Sequence, residues 1–389
     1  DIPHMLGWSR SLESTLYVMN VVARHLMDRL RHPRGTRLLM GNALIGRLLL
    51  SLKERGVTLL TEATATALER GASGIEAITI EQRGVNKRIA VRGGVVLASG
   101  GFNRHPQRRA QLLPGADLQW CPGAPGHTGA AHDLAESVGA VYGKGAMSNA
   151  FWAPVSLRQR ADGSTAVFPH FVFDRAKPGT VTVDAQGQRF LNESTSYHLF
   201  GLAMQGARPA VPAYLIADAE ALRKYGLGMV RPKGMGLASA LKDGYLTSAS
   251  SIAELARKLQ LPQANLTQTI ERFNGYWQGG TDPELARGAT AYQRANGDAT
   301  WHGPTPSLGP IKRAPFSAVT RCPADLCATT GFATDRLQTI ARIADAAIVL
   351  IDGRLTSAAD VFEGLKRLHG MGHTPRPPGS NSVGYIFSR

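Results

Sequence analysis

Thr182-Val183-Asp184-Ala185-Gln186-Gly187-Gln188-Arg189-Phe190-Leu191-Asn192-Glu193-Ser194-Thr195-Ser196-Tyr197-His198 is the stretch on which the reading of this chain turns. The alternation of threonine and valine predicts the end of a strand. Asp184 to Gly187 predicts a tight polar turn, since aspartate bonds nearby backbone and glycine tolerates a positive φ. Arg189-Phe190-Leu191-Asn192-Glu193 then leads into a short polar segment carrying Tyr197.

Working outward, the organisation is that of mixed α and β structure. Apolar Leu12, Leu16, Met19, Val22, Leu26 and Leu30 recur near the helical period, which predicts a helix over 11–31. A loop at Arg34-Gly35-Thr36-Arg37 and a second helix over 43–55, ended by Gly56, should follow. Residues 57–60 and 65–68 read as strands, and 75–81 with 88–91 as a hairpin around Gly84-Val85-Asn86. Val95-Val96-Leu97-Ala98-Ser99-Gly100-Gly101-Phe102 is an apolar run entering a glycine turn, the pattern of a buried parallel strand. A helix is expected over 127–140 with Thr128 as N-cap, and two more near 252–259 and 265–276.

Composition narrows the classes of function. With 389 residues, 43% of them hydrophobic and 19% charged, the chain can bury a large core and divides into domains. Its formal charge of +15 raises nucleic acid as a partner. Yet the 34 arginines and 10 lysines are scattered, and the dense knots at 29–37 and 104–109 lack interleaved aromatics. No nucleic-acid partner is therefore expected. Apolar runs such as Leu48-Leu49-Leu50 are broken by charge well short of ~18 residues, so stable membrane insertion is not expected. Cys121, Cys322 and Cys327 suit a reducing cytoplasm, and Cys322 with Cys327 lacks a second pair at zinc spacing. His369 and His373 have helical ligand spacing but enclose two glycines and no glutamate, so no metal is expected there.

Several of these segments together resemble one family. The 182–198 stretch is similar to the substrate-side signature of flavoproteins of the fumarate reductase and 3-ketosteroid dehydrogenase superfamily. Arg34-Gly35-Thr36-Arg37-Leu38-Leu39-Met40-Gly41-Asn42-Ala43-Leu44 resembles the family's lead-in to the helix beside the flavin. Ala98-Ser99-Gly100-Gly101-Phe102 resembles its strand end, and Gly126-His127-Thr128-Gly129 the start of its next helix. The resemblance runs from about residue 34 to 335. It implies an α/β fold, a partial Rossmann-like FAD-binding lobe with an inserted α+β capping domain. The expected division is 1–148 for the lobe, 149–310 for the substrate-binding cap and 311–389 for the return to the lobe.

What the resemblance implies about chemistry depends on the branch. In dicarboxylate reductases the Asn-Glu pair is followed by a proton-shuttling arginine, whereas Tyr197 is the residue type of the ketosteroid Δ1-dehydrogenase branch. By resemblance Tyr197 is the base that takes a proton beside a ketone, a role that needs tuning because a free phenol has a pKa of about 10. Gly379 would offer an N–H to the carbonyl. Asn42, Ala98, Ser99, Gly100 and Gly101 would line FAD, and Phe151 and Trp152 the substrate entrance. Asn192 and Glu193 would brace the loop of the substrate pocket. The reductases carry a histidine just before the proline of Phe151-Trp152-Ala153-Pro154, and Ala153 cannot bind a carboxylate. The expected substrate is a small apolar ketone, steroid-like or otherwise, with an external electron acceptor. A fumarate reductase-like reading, and a catalytically inactive fragment with at most a ligand-binding role, stand as alternatives. So does a plain structural role for Tyr197 in closing the turn.

Two departures shape the expectation. No Gly-x-Gly-x-x-Gly turn follows a strand, so the chain is expected to begin after that unit, which takes ~30 residues, and to purify without tightly bound FAD. Over 336–374 the family pattern is lost, with partial recovery at Pro378-Gly379-Ser380. Compensating frame shifts and ordinary divergence both account for this.

Overall fold

The apolar spacing of the first segment produces helix Leu12–Arg31, opened by the Ser11 side chain accepting from the Ser14 N–H. Helix Met40–Glu54 follows and is closed by Gly56 at φ +66°. The computed structural model describes residues 2–8, 11–72, 74–142, 148–206, 210–328, 332–333 and 348–349. The chain separates into one unit of Asp1–Thr64 with Glu81–Asn86 and another of Ala65–Ile80 with Lys87–Arg389. The boundary expected at 148/149 falls inside the second. Residues 57–60, expected as a strand, are irregular and exposed, and the strand begins instead at Ala63–Arg70. Four apolar-leaning residues without a pairing partner do not make a strand, because the ladder supplies the backbone partners.

Strands Ala63–Arg70, Ile75–Gln82 and Val85–Ala90 form a sheet in that order. The hairpin turn falls at Arg83 and Gly84, both at positive φ (54° and 76°), one residue earlier than the sequence suggested. Two central residues in the left-handed region match the twist of the strands they join. The apolar run before the glycine turn contributes only the short strand Val96–Leu97, paired antiparallel with Ile348–Val349. Val96 is 58% exposed, so the expectation of a buried parallel strand does not hold among the described residues. An apolar run reports a tendency to burial and says nothing of strand direction. The following helix is Ala130–Ser137 rather than 127–140, because Gly129 at φ +79° caps it and Thr128 bonds back to Gly126.

The architecture is α/β, and its largest layer is a six-stranded antiparallel sheet. The order is Thr165–Pro169, Ala150–Gln159, Phe316–Ala328, Ala213–Ala217, Thr180–Val183, with Thr247–Ala249 also paired to Phe316–Ala328. The long strand Phe316–Ala328 holds the layer together, since its first half pairs with Ala213–Ala217 and its second half with Ala150–Gln159. Residues expected to begin the return to the lobe therefore form the middle of this sheet. Pairing with lobe elements comes later, Phe332–Ala333 with Val141–Tyr142 and Ile348–Val349 with Val96–Leu97.

Helices Ile252–Lys258 and Gln263–Gly279 cover one face of the sheet through Leu255, Leu266, Ile270 and Phe273, which pack with Val181, Val183 and Ile216. Leu215, Ala217 and Val319 point the other way and pack with Leu222 and Leu227. The alternation of side chains along Ala213–Ala217 thus supplies two cores. Helix Tyr197–Met204 lies against Ala150–Gln159, and Gly201 permits the approach. A Cβ there would stand 2.5 Å from the Trp152 Cβ.

Candidate functional site

The turn after Thr180–Val183 forms as its residues dictate. The Asp184 carboxylate accepts from the Gln186 and Gln188 N–H groups, both at 2.9 Å, and Gly187 sits at φ +71° against the Leu266 backbone. This delivers Arg189 into a fully buried ionic cluster. Its guanidinium donates to both Glu193 oxygens (2.9 and 2.8 Å) and to Asp282 (2.8 Å). Glu193 also accepts the Thr182 N–H at 3.2 Å and pairs with Arg287 at 3.3 Å. Burial opposes ionisation of Glu193, but Arg189 and Arg287 outweigh it and hold the carboxyl at about 2. Asn192 donates to the Leu285 carbonyl and accepts from the Ser194 N–H, each at 2.9 Å. The side chains of Asn192 and Glu193 are thus taken up by contacts within the protein.

Arg175 carries the bracing forward to Tyr197. It is fully buried and donates to the carbonyls of Glu193 (2.6 Å), Thr195 (3.1 Å) and His170 (3.2 Å). Its guanidinium lies 4.6 Å from the Phe200 ring centre, and Arg321 lies 5.1 Å from the same ring. Ser196 caps helix Tyr197–Met204 by accepting the Leu199 N–H, so Tyr197 is its first residue. The half-buried Tyr197 ring meets Phe171 edge-on at 5.2 Å. His198 accepts the Trp152 N–H on Nδ1 at 3.2 Å, and its ring stands 5.3 Å from Phe151. Burial lowers the His198 pKa, so the neutral ring keeps its proton on Nε2.

The structure thus gathers Tyr197, His198, Phe151 and Phe171 around one helix start. Phe151 is 46% exposed and offers an apolar face. Trp152 is buried with Phe102, Leu113 and Ala328 and donates its indole N–H to Ser148 at 2.7 Å, so it belongs to the core beneath. Ala153 is also fully buried.

Sequence reasoning missed a second buried system. The Asp174 carboxylate receives His170 Nδ1–H at 2.5 Å, His170 Nε2 accepts from Ser156 Oγ at 2.8 Å, and Ser156 lies 2.6 Å from the Tyr245 hydroxyl. Tyr245 in turn accepts the Met229 N–H at 3.0 Å. Burial lowers the His170 pKa despite Asp174, and burial raises that of Tyr245. A neutral His170 and a protonated Tyr245 give a chain in which every donor points towards Asp174. The order serine–histidine–aspartate is that of a nucleophile system, but Ser156 is 1% exposed and its lone pair is taken by Tyr245. Its chemistry here is structural. The four-residue spacing of His170 and Asp174 was the signal available in the sequence.

The residues expected at a cofactor are placed unevenly. Ala98 and Ser99 stand exposed just after Val96–Leu97, and their small side chains leave the backbone open to a flat group. Gly100 and Gly101 are needed for packing: added Cβ atoms would lie 2.5 Å from the His127 ring and 2.2 Å from the Ala328 carbonyl. Beyond them Asn103 accepts from the Ala328 N–H and donates to Asp325, which also pairs with Arg109 at 2.7 Å. This buried knot fixes the glycine turn to the end of Phe316–Ala328. Asn42 is exposed in the first turn of Met40–Glu54, in the other unit. Gly379 lies outside the described residues, as does most of 336–374. The open strand end fits a flavin ring system or its adenylate, with Ala98 and Ser99 as the residues that would face it.

The chain belongs to the FAD binding domain family, whose model matches residues 5–349, and its cofactor is FAD. It is 32% identical over 343 residues to 4-oxocyclohex-2-ene-1-carboxylate 5-dehydrogenase of Sinomonas cyclohexanicum, covering 86% of this chain and 57% of that protein. It is 34% identical over 356 residues to 3-oxosteroid 1-dehydrogenase of Mycolicibacterium smegmatis, covering 87% of this chain and 59% of that protein. The structure is similar to 3-ketosteroid delta1-dehydrogenase of Sterolibacterium denitrificans in complex with 1,4-androstadiene-3,17-dione, with a TM-score of 0.70 and 28% identity, covering 85% of this chain and 60% of that one. The chain thus spans less than two thirds of the length of these relatives. Among the described residues no cluster of ligating side chains could hold a metal, and no helix is long and apolar enough to cross a membrane.

Proposed function

We propose that this protein takes part in FAD-dependent desaturation of a carbon–carbon bond next to a ketone, with a cyclic, largely apolar ketone such as a 3-oxo steroid as substrate. The observation that carries the reading is Tyr197 at the start of a helix, edge-on to Phe171, with the exposed Phe151 ring against the next residue, His198. In the reaction the substrate loses a proton from the carbon beside the carbonyl and a hydride from the next carbon, and a C=C bond forms between them. Bound FAD supplies the hydride acceptor, and the reduced form passes its electrons to an external acceptor. Tyr197 Oη takes the proton. The backbone N–H groups of a helix start favour negative charge nearby, which eases the phenol towards phenolate.

Arg175, Asn192 and Glu193 act as positioning residues by fixing the backbone that enters this helix. Phe151 excludes water from one side of the ketone, and residues 149–310 serve as the cap. The names of the relatives support the ketone and the desaturation, since each acts on a cyclic oxo compound or carries a dehydrogenated one in its printed description. Tyr197→Phe in FAD-loaded protein is the test. Turnover of a 3-oxo-4-ene steroid should fall by ~10²–10⁴ with the flavin absorbance unchanged. Unaltered turnover would remove Tyr197 as the base.

A further inference from the structure

Helix Leu12–Arg31 is anchored to its unit through one face. Ser14, near its start, lies 3.2 Å from His4 Nδ1, and Asp28, near its end, accepts from the Thr36 N–H and hydroxyl at 2.9 and 2.7 Å. At 3.6 residues per turn these two positions fall within about 40° of each other. On the opposite side Leu12, Leu16, Met19, Val22, Leu26 and Leu30 share an arc of about 120°. Each of them is between 50% and 86% exposed. An apolar face of that width ordinarily meets a core. Here it looks outward along the whole helix, roughly 30 Å.

Two features frame the arc. Its margins are basic: Arg29 borders one side and Arg24 and Arg31 the other, all exposed, and the arginine knot continues through Arg34 and Arg37. Asp28 is spent on Thr36, which leaves Glu13 as the only other acid of the helix. Before the helix stands Trp8, 56% exposed, whose carbonyl accepts the Thr15 hydroxyl at the edge of the arc. An apolar arc between cationic margins suits a bilayer surface, where arginines meet headgroup phosphates and apolar side chains reach the acyl boundary. Tryptophan favours the same depth. A second copy of the chain could cover the leucines but offers only Glu13 to the arginines. No helix among the described residues is long and apolar enough to cross a membrane, so this one would lie in the surface plane.

We propose that helix Leu12–Arg31 docks the protein on the surface of an anionic phospholipid bilayer, with the arc from Val22 to Leu16 turned to the lipid. The assignment stands on this helix and not on the reading of Tyr197. Co-sedimentation of the full chain with phosphatidylcholine vesicles, with and without phosphatidylglycerol, tests it. Saturable binding is expected with phosphatidylglycerol, and binding weaker by ~10-fold or more without it. Leu16→Ser combined with Leu26→Ser, at exposed positions that leave the far-UV circular dichroism unchanged, should weaken it ~10-fold or more. Arg29→Gln combined with Arg31→Gln should weaken it ~10-fold. Brominated acyl chains should quench tryptophan emission, and Trp8→Phe should remove most of that quenching. No binding to the anionic vesicles, or binding that either double variant leaves unchanged, would overturn the proposal. So would a dimer in lipid-free solution that Leu16→Ser with Leu26→Ser dissociates, since the arc would then belong to a second copy.

Discussion

Two buried polar systems stand on either side of the backbone that enters the Tyr197 helix, and they are built on opposite principles. Around Arg189 the contacts are ion pairs: two buried carboxylates, Glu193 and Asp282, and the partly exposed Glu284 meet two buried guanidiniums, Arg189 and Arg287. Around His170 the groups are neutral except Asp174 at one end, and the order of donors does the holding. Arg175 joins the two through the carbonyls of His170, Glu193 and Thr195. The ionic cluster is most sensitive to removal of a member, because each charge has lost its water and depends on its partners. The neutral chain tolerates loss of a link better but responds to pH, because its histidine must stay uncharged.

The largest effect should therefore come from Glu193→Gln. It leaves Arg189 with Asp282 and the more distant Glu284 and takes away the ion-pair partner of Arg287, and breaking a buried pair in this way costs about 3–5 kcal/mol. The urea midpoint should fall accordingly, and a change of under ~1 kcal/mol, the range of an exposed pair, would mean the cluster is hydrated. The same carboxyl sets an acid limit. Its folded pKa of about 2 lies below the ordinary 4.5, so its contribution is present above pH 4.5 and is lost as pH falls towards 2.

The neutral chain gives a second and smaller effect at a different pH. Burial lowers the His170 pKa below 6.5, with Asp174 opposing and Arg321 and Arg175 assisting. A depressed histidine stabilises the fold above its unfolded pKa, so stability should begin to fall as pH drops below 6.5. His132, held at about 4 by burial and Arg108, adds to the same slope. The difference between wild type and His170→Gln isolates the first histidine. Thermal midpoints between pH 7 and 5 should converge for the two proteins as pH falls, by no more than ~1.4 kcal/mol per pH unit. Parallel curves would mean that His170 takes up its proton in the fold as it does in the unfolded chain, and diverging curves that it is charged in the fold.

How much of this was legible follows from the same contrast. The turn at Asp184–Gly187 and the helices Leu12–Arg31 and Gln263–Gly279 could be read because each is set by residues close in sequence. The partners that give Glu193 its role, Asp282 and Arg287, lie about ninety residues away, and no local pattern announces them. The chain from Asp174 to Tyr245 joins a strand, a short helix and a distant loop, so only the His170–Asp174 spacing was visible. Val96–Leu97 was misjudged in direction because its partner, Ile348–Val349, lies in the stretch where the family pattern fades. Glycines at 100 and 101 were assigned to a cofactor, yet His127 and Ala328 account for their lack of a side chain.

Arg321 sits within reach of both systems and belongs to neither, which yields the smallest expected effect. It is fully buried, yet its only hydrogen bond among the described residues is to the Thr182 hydroxyl, and its Nε and Nη1 have no partner. Burial and then repulsion from Arg175 bring its pKa down to about 9, with Asp174 and Glu193 offsetting only part of this. A buried charge so poorly matched recovers little of its desolvation cost, and an apolar side chain of similar length can replace such a group at no loss. Arg321→Met should therefore change the urea midpoint by less than ~1 kcal/mol in either direction, with the sulfur taking the guanidinium's place over Phe200. A loss comparable to that of Glu193→Gln would show that Arg321 is a full member of the ionic cluster, its unpaired nitrogens bound through water to Asp174, whose Oδ1 is likewise without a partner. The boundary between the two systems would then run through Phe200 rather than through Arg175.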